Sequence, residues 1–171
     1  MNQSLFVKSG AYFSPDRLYR YNLWRERQEG RGTVNFIMLN PSTADETQND
    51  PTVERCQRRA WSWGYKRLVV TNIFAYRATN PAELRHAVNP VGPDNDDWLL
   101  RSASLANLVV CAWGNHGTFL DRGFRVRQLL YRWVPLNVLK LSKTGVPCHP
   151  LYLPYRLQPV AWVTEAPKQN S

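Results

Sequence analysis

The feature that most limits how this chain can fold is Phe36-Ile37-Met38-Leu39-Asn40-Pro41-Ser42-Thr43-Ala44-Asp45, an apolar run that passes straight into a polar, proline-containing loop. The apolar run has the length and makeup of a buried strand. Asn-Pro-Ser then turns the backbone out of the sheet. Asp50-Pro51-Thr52 reads as a helix start, with Asp50 capping and Pro51 in the first turn, where its missing N–H costs nothing. The unit is strand, polar loop, helix. Ligands of open α/β sheets bind in the crevice outside the carboxyl ends of the strands, so Asn40, Ser42, Thr43 and Asp45 are the first candidates for chemistry.

The same alternation continues along the chain. The helix from Pro51 to about Trp63 places Val53, Cys56, Ala60 and Trp63 on one stripe, leaving Arg55, Arg58 and Arg59 on a solvated face or a phosphate track. Leu68–Phe74 is a second strand, interrupted by Asn72. An amide inside an apolar run must find partners, so Asn72 either pins a neighbouring loop or faces a ligand. Asn80-Pro81-Ala82-Glu83 has the capping-box spacing of a short helix, and Asp94–Leu105 reads as another, with Trp98, Leu99 and Leu105 available to the core. Leu108–Trp113 is the third strand and exits into Gly114-Asn115-His116-Gly117. Phe119–Trp133 carries a helical pattern with Phe124, Leu129, Leu130 and Trp133 inward and Arg122, Arg125, Arg127 and Arg132 outward. Val138–Leu141 is the fourth strand. At the N-terminus, Gly10–Arg25 reads as a hairpin about Ser14-Pro15-Asp16-Arg17.

Strands alternating with helices predict an α/β fold: a three-layer α/β/α arrangement with a central, mainly parallel four-stranded sheet and an N-terminal β-hairpin. A chain of 171 residues suits one domain. Its parts are an N-terminal β-arm over 1–32, an α/β core over 33–154 and a peripheral C-terminal tail over 155–171.

Charge narrows the partners. Twenty-two Lys and Arg against 13 Asp and Glu give a formal charge of +9, which favours polyanions or simply serves solubility. Seven Trp, eight Tyr and six Phe accompany the arginines, and aromatic rings beside guanidinium groups suit stacked bases. A nucleic acid, with DNA bound through its phosphates, or a nucleotide is therefore the expected partner. No segment has the ~18 apolar residues of a membrane span, so a membrane is not expected and the location is expected to be cytoplasmic. Cys56, Cys111 and Cys148 form no C-x-x-C pair and read as reduced core residues, while His86, His116 and His149 are too scattered to signal a metal. Neither a G-x-x-x-x-G-K-[ST] loop nor a G-x-G-x-x-G turn is present, nor H-E-x-x-H, and the lack of a G-x-S-x-G elbow weakens Ser42 as a nucleophile. No cofactor is expected.

Together, LNPSTAD, DPT, TNIFAYRATNP, VGPDND, WGNHG and HPLYLP resemble an uncharacterised bacterial and phage family, a domain of unknown function, over about Tyr19–Leu153. More distantly, their order is similar to the uracil-DNA glycosylase superfamily, whose fold is a four-stranded parallel sheet between helices. That resemblance implies that Asn40-Pro41 holds an attacking water, that Asn72 reads the base, that Trp113-Gly114 ends the third strand, and that His149-Pro150 supplies a histidine for the charge developing on the base. The His-Pro loop continues as Leu151-Tyr152-Leu153 here, where that superfamily has a serine-rich run.

The candidate catalytic residues are thus Asn40, His149 and Asp45, with Asp50 a carboxylate in reserve. The candidate substrate-binding residues are Pro41, Ser42, Thr43, Asn72, Trp113, Asn115, His116 and Leu151. Breaking an N-glycosidic bond passes through a sugar cation and a departing base anion, so it needs a placed water on one side and hydrogen-bond donors on the other. The expected function is glycosylase-like hydrolysis directed at a DNA base. A noncatalytic nucleic-acid or nucleotide-binding module and an enzyme acting on a free nucleotide are the alternatives.

Overall fold

The computed structural model describes residues 8–163; residues 1–7 of the expected arm and 164–171 of the expected tail lie outside them. The fold is α/β. Seven strands form one mixed sheet in the order β1-β2-β4-β3-β5-β6-β7. They are β1 (Lys8–Phe13), β2 (Arg20–Glu26), β3 (Thr33–Met38), β4 (Arg67–Asn72), β5 (Leu108–Cys111), β6 (Asn137–Val138) and β7 (Val160–Ala161). Phe36 of β3 pairs in parallel with Val70 of β4 and Val110 of β5, and Cys111 pairs in parallel with Val138 of β6. The antiparallel strands lie outside these four. β2 runs against β4, with Leu23 opposite Val70, and β7 runs against β6.

Where a central four-stranded sheet with a separate hairpin was expected, the described residues form one seven-stranded sheet, and both extensions have a physical reason. The hairpin turns as its sequence suggests: Ser14 Oγ donates to Asp16 Oδ1 at 2.6 Å, and Asp16 Oδ1 also accepts the Leu18 N–H. It is not a separate arm, however, because β2 buries Leu23 against the sheet. Nor is the tail peripheral throughout. Val160–Ala161 completes the far edge, and the Trp162 ring meets Trp113 edge-on at 5.6 Å. The fourth strand is two residues long, and Leu141 is exposed.

Successive side chains of a strand point to opposite faces. Val34, Phe36 and Met38 of β3 join one hydrophobic cluster with Val53, Cys56 and Ala60 of α1 (Pro51–Ser62), while Ile37 and Leu39 join a second with Leu99 of α2 (Asn95–Leu105) and Val126 and Leu130 of α3 (Arg122–Leu130). Helix α1 starts as its sequence dictates: Asp50 Oδ1 accepts the Val53 N–H at 2.8 Å, with Pro51 in the first turn. The segment Pro81–His86 is a 3-10 helix, capped by the Asn80 side chain.

Several arginines depart from expectation. Arg59 of α1 is fully buried and donates to the Leu153 and Pro154 carbonyl oxygens. Arg122 is buried as well, with Nε donating to Ile73 O at 2.7 Å and Nη2 to Asp96. Arg20 and Arg25 of β2 lie inside as well. In each case carbonyl oxygens of neighbouring loops supply acceptors that no local pattern encodes.

Helix α3 is shorter and rotated relative to the expected Phe119–Trp133. A 3-10 segment covers Asn115–Asp121, and the chain kinks at Leu120 and Asp121, whose φ values are +53° and +59°. Phe124 and Trp133 are then 58% and 72% exposed instead of inward. The reason is Gly123: a β-carbon there would stand 2.6 Å from the Trp113 indole nitrogen, so the bare backbone packs on that ring. Gly123, Val126 and Leu130 form the buried stripe, a phase that a count of apolar side chains misses. Leu105, expected in the core, is 74% exposed at the end of α2.

Candidate functional site

At the carboxyl end of β3, the strand pattern continues briefly, with the N–H groups of Ile73 and Phe74 donating to the Met38 and Leu39 carbonyl oxygens. Asn40 then anchors the loop: its Nδ2 donates to Ala78 O at 2.7 Å and Pro41 O at 3.1 Å. This leaves Oδ1 without a protein donor among the described residues. Pro41 is buried, and its carbonyl also accepts the Ala78 N–H. Asp50 clamps the far end of the loop, one carboxylate oxygen accepting the Val53 N–H and the other the Ala44 N–H at 3.3 Å.

Parallel strands deliver their exit loops to one edge, and here those loops enclose a cleft of about 750 Å³. Asn40, Ser42 and Thr43 line it from the β3 exit and Asn72 from β4. Trp113, Asn115 and His116 line it from the β5 exit, and His149 and Leu151 from the last loop. Trp113 is buried, while Asn115 and His116 are exposed. Pro41 and Asp45 do not line the cleft. Asp45 Oδ1 accepts the N–H groups of Thr47 and Gln48 at 2.9 and 2.8 Å, closing a turn, and those bonds hold its carboxyl below the usual carboxylate range. The carboxylate that does line the cleft is Asp50.

His149 is set by the turn that carries it. Its Nδ1 accepts the Leu151 N–H at 3.2 Å, which requires a lone pair on that nitrogen and leaves the ring proton on Nε2. Burial draws its pKa below the ordinary histidine value, against the opposing pull of the Asp50 carboxylate. The Leu151 hydrogen bond and burial both favour a neutral ring that donates from Nε2. Gly114 packs on this residue, and the Gly114 N–H donates to Pro147 O at 2.9 Å. The buried guanidinium of Arg59 holds the Leu153 and Pro154 carbonyls at the other end of the loop, while Tyr152 stands 90% exposed on the rim.

One charged cleft residue was not foreseen. Arg20 of β2 is 2% exposed, donates from Nη1 to Ala44 O at 3.0 Å and from Nη2 to Asn72 Oδ1 at 3.3 Å, and borders the cleft. Burial pulls its pKa down to about 10, with Asp50 opposing, so the group stays cationic at neutral pH. The alternation of Tyr19, Tyr21 and Leu23 with Arg20 and Asn22 gave no sign of this, since an arginine in such a pattern reads as solvated. Asn72 is tied to Arg20 of β2, and it also lines the cleft.

Among the described residues, no three His, Cys, Asp or Glu come together in a group that could hold a metal ion. No helix among them is long and apolar enough to cross a membrane. Cys56 and Cys111 are free and buried, and burial raises both thiols, Cys56 to about 12. Trp113 also borders a second depression of about 230 Å³, beside Trp162 and Arg127.

Fold and cleft together define an α/β protein with an open site at the carboxyl ends of its parallel strands. The chain belongs to the family DUF1643, described as a protein of unknown function, whose model matches residues 20–151. No curated protein and no solved structure matches the chain.

Proposed function

We propose that this chain is a DNA-base-directed enzyme that hydrolyses an N-glycosidic bond, on a three-layer α/β/α fold of uracil-DNA glycosylase type whose core is the parallel set β4-β3-β5-β6. The observation that carries this reading is the meeting of Asn40 and His149 in one cleft, one with a free amide oxygen and the other with a free N–H. A water accepted by Asn40 Oδ1 attacks the anomeric carbon as the bond to the base nitrogen breaks. The bonding electron pair leaves with the base. The His149 Nε2–H then donates to the departing anion, and the fixed positive charge of Arg20 lowers its energy. Asp50, instead of Asp45, takes the proton that the water loses, because Asp50 is the carboxylate on the cleft wall. The base enters the cleft flipped out of the stack, at a cost of a few kcal/mol. This scheme uses no cofactor, and DNA is the partner.

The test is a panel of end-labelled oligonucleotides carrying modified and mismatched bases, assayed for alkali-sensitive breaks with His149→Ala as control. Breaks that depend on His149 are expected for at least one base. Binding without breaks favours the noncatalytic module, and release of base from free nucleotides alone favours a small-molecule enzyme.

A further inference from the structure

We infer that a depression of about 250 Å³ between β2, β4 and α2 binds one unpaired nucleotide, independently of any chemistry in the cleft. Thr33 and Arg67, the first residues of β3 and β4, line it, whereas the cleft lies where those strands end. The two share no residue.

Trp98, Arg101, Ser102 and Leu105 recur every three or four residues and so share a face of α2, which forms one wall. Opposite stands Asn22 of β2, paired across the hairpin with Tyr12. Asn22 is 8% exposed and Ser102 7%, and Asn22 Nδ2 donates to Ser102 Oγ at 2.9 Å. Among the described residues, Asn22 Oδ1 has no protein donor and the Ser102 hydroxyl proton no protein acceptor. Polar groups this deeply buried cost stability unless a partner meets them.

The surroundings define that partner. An acceptor beside a hydroxyl that turns to suit its neighbour matches the pairing edge of every nucleobase, where a donor and an acceptor lie side by side. The Tyr12 and Trp98 ring centroids are 4.8 Å apart and Tyr12 is half exposed, which gives aromatic surface of the kind bases stack on. Leu105, exposed at the end of α2, is the apolar rim. Arg67 engages Glu26 at 3.3 Å, but Arg101, whose guanidinium stands 5.8 Å from the Trp98 ring centroid, has no carboxylate partner among the described residues. A phosphate fits there. The volume is below the roughly 300 Å³ of small ligand pockets, so the base enters while sugar and phosphate stay at the mouth. In a duplex the pairing edge is hidden, so the nucleotide must be unpaired. A free nucleoside monophosphate and one nucleotide of a single strand share this chemistry.

Isothermal titration calorimetry with adenosine, guanosine, cytidine and uridine 5′-monophosphates, ribose 5-phosphate and a single-stranded oligothymidylate tests the site. The nucleotides are expected to bind with little regard to base, and ribose 5-phosphate is not. Tyr12→Ala and Arg101→Ala, both at the surface, should each weaken binding roughly tenfold. Asn22→Leu should do the same, and where thermal melting shows it unfolded the two surface variants decide. Arg132→Ala removes the same charge from an exposed position beyond α3 and should change nothing for the monophosphates. These losses with oligothymidylate identify a nucleotide within a strand, and losses with the monophosphates alone identify a free nucleotide. Binding of neither probe, ribose 5-phosphate bound as tightly as the nucleotides, or binding lost in Asn72→Ala but intact in Tyr12→Ala and Arg101→Ala overturns the inference. Breaks that depend on His149 are read in a different assay, so each of these outcomes leaves the reading of the cleft standing.

Discussion

Gly114 lies so close to His149 that a β-carbon on the glycine would stand 3.3 Å from the histidine Cβ. The glycine also has φ +78° and ψ −177°, a conformation open essentially to glycine alone. Gly114→Ala is therefore expected to lose about 1–3 kcal/mol of stability to backbone strain and to displace the imidazole. The rate at 25 °C, where the variant remains folded, should fall more than its stability loss explains. Single-turnover kinetics and thermal melts on the same preparation check this, and an unchanged rate in a destabilised variant would refute the link to His149.

Asn40 and His149 stand 109 positions apart (149 − 40) and line one cleft. If one places the water and the other steadies the leaving base, both act on a single transition state, and residues acting as a unit are strongly non-additive. Asn40→Ala combined with His149→Ala should lose much less rate than the product of the two single losses. Single-turnover rates of the four proteins on the substrate found in the oligonucleotide panel settle the matter. Single variants at full rate would exclude both residues and direct attention to Asp50.

Burial holds the folded His149 below its ordinary value of 6.5. As pH falls, the unfolded chain takes up this proton before the folded one does. The stability contributed by the neutral buried ring is complete above pH 6.5 and is lost as pH falls toward the folded value. Urea midpoints should decrease on acidification through that window, and less so in His149→Gln. The acid limb of the single-turnover rate should likewise lie below pH 6.5, and a limb above it would contradict a neutral donor.

The formal charge of +9 supports binding through phosphates, but Arg20, Arg25, Arg59 and Arg122 are spent inside the fold. Under the proposed reading, exposed arginines such as Arg58, which also pairs with Glu54, and Arg125 would meet the backbone. Affinity for an oligonucleotide should fall by more than about tenfold between roughly 50 and 200 mM salt, with little dependence on sequence outside the target base. A salt-independent isotherm would point to a small-molecule ligand.

The β3-loop-α1 unit was legible because its signals are local: an apolar run, an Asn-Pro break, and an Asp-Pro helix start all act within a few residues. The gathering of Asn40, Asn72, Trp113 and His149 followed from topology, since parallel strands separated by helices must bring their exits to one edge. Long-range contacts decided the rest. Asp45 and Asp50 share one loop, and only its folded path turns the first into a backbone clasp and the second toward the cleft. The phase of α3 was set by an absent side chain, Gly123 beneath Trp113, which no hydrophobic pattern registers. Strand β7, two residues long, exists because β6 offers it a partner. Arg20 is the clearest case. Its fate depends on β2 joining β4 and on acceptors from Ala44 and Asn72, 24 and 52 positions away, and the burial of a charge is written in the partners that surround it, not in its neighbours along the chain.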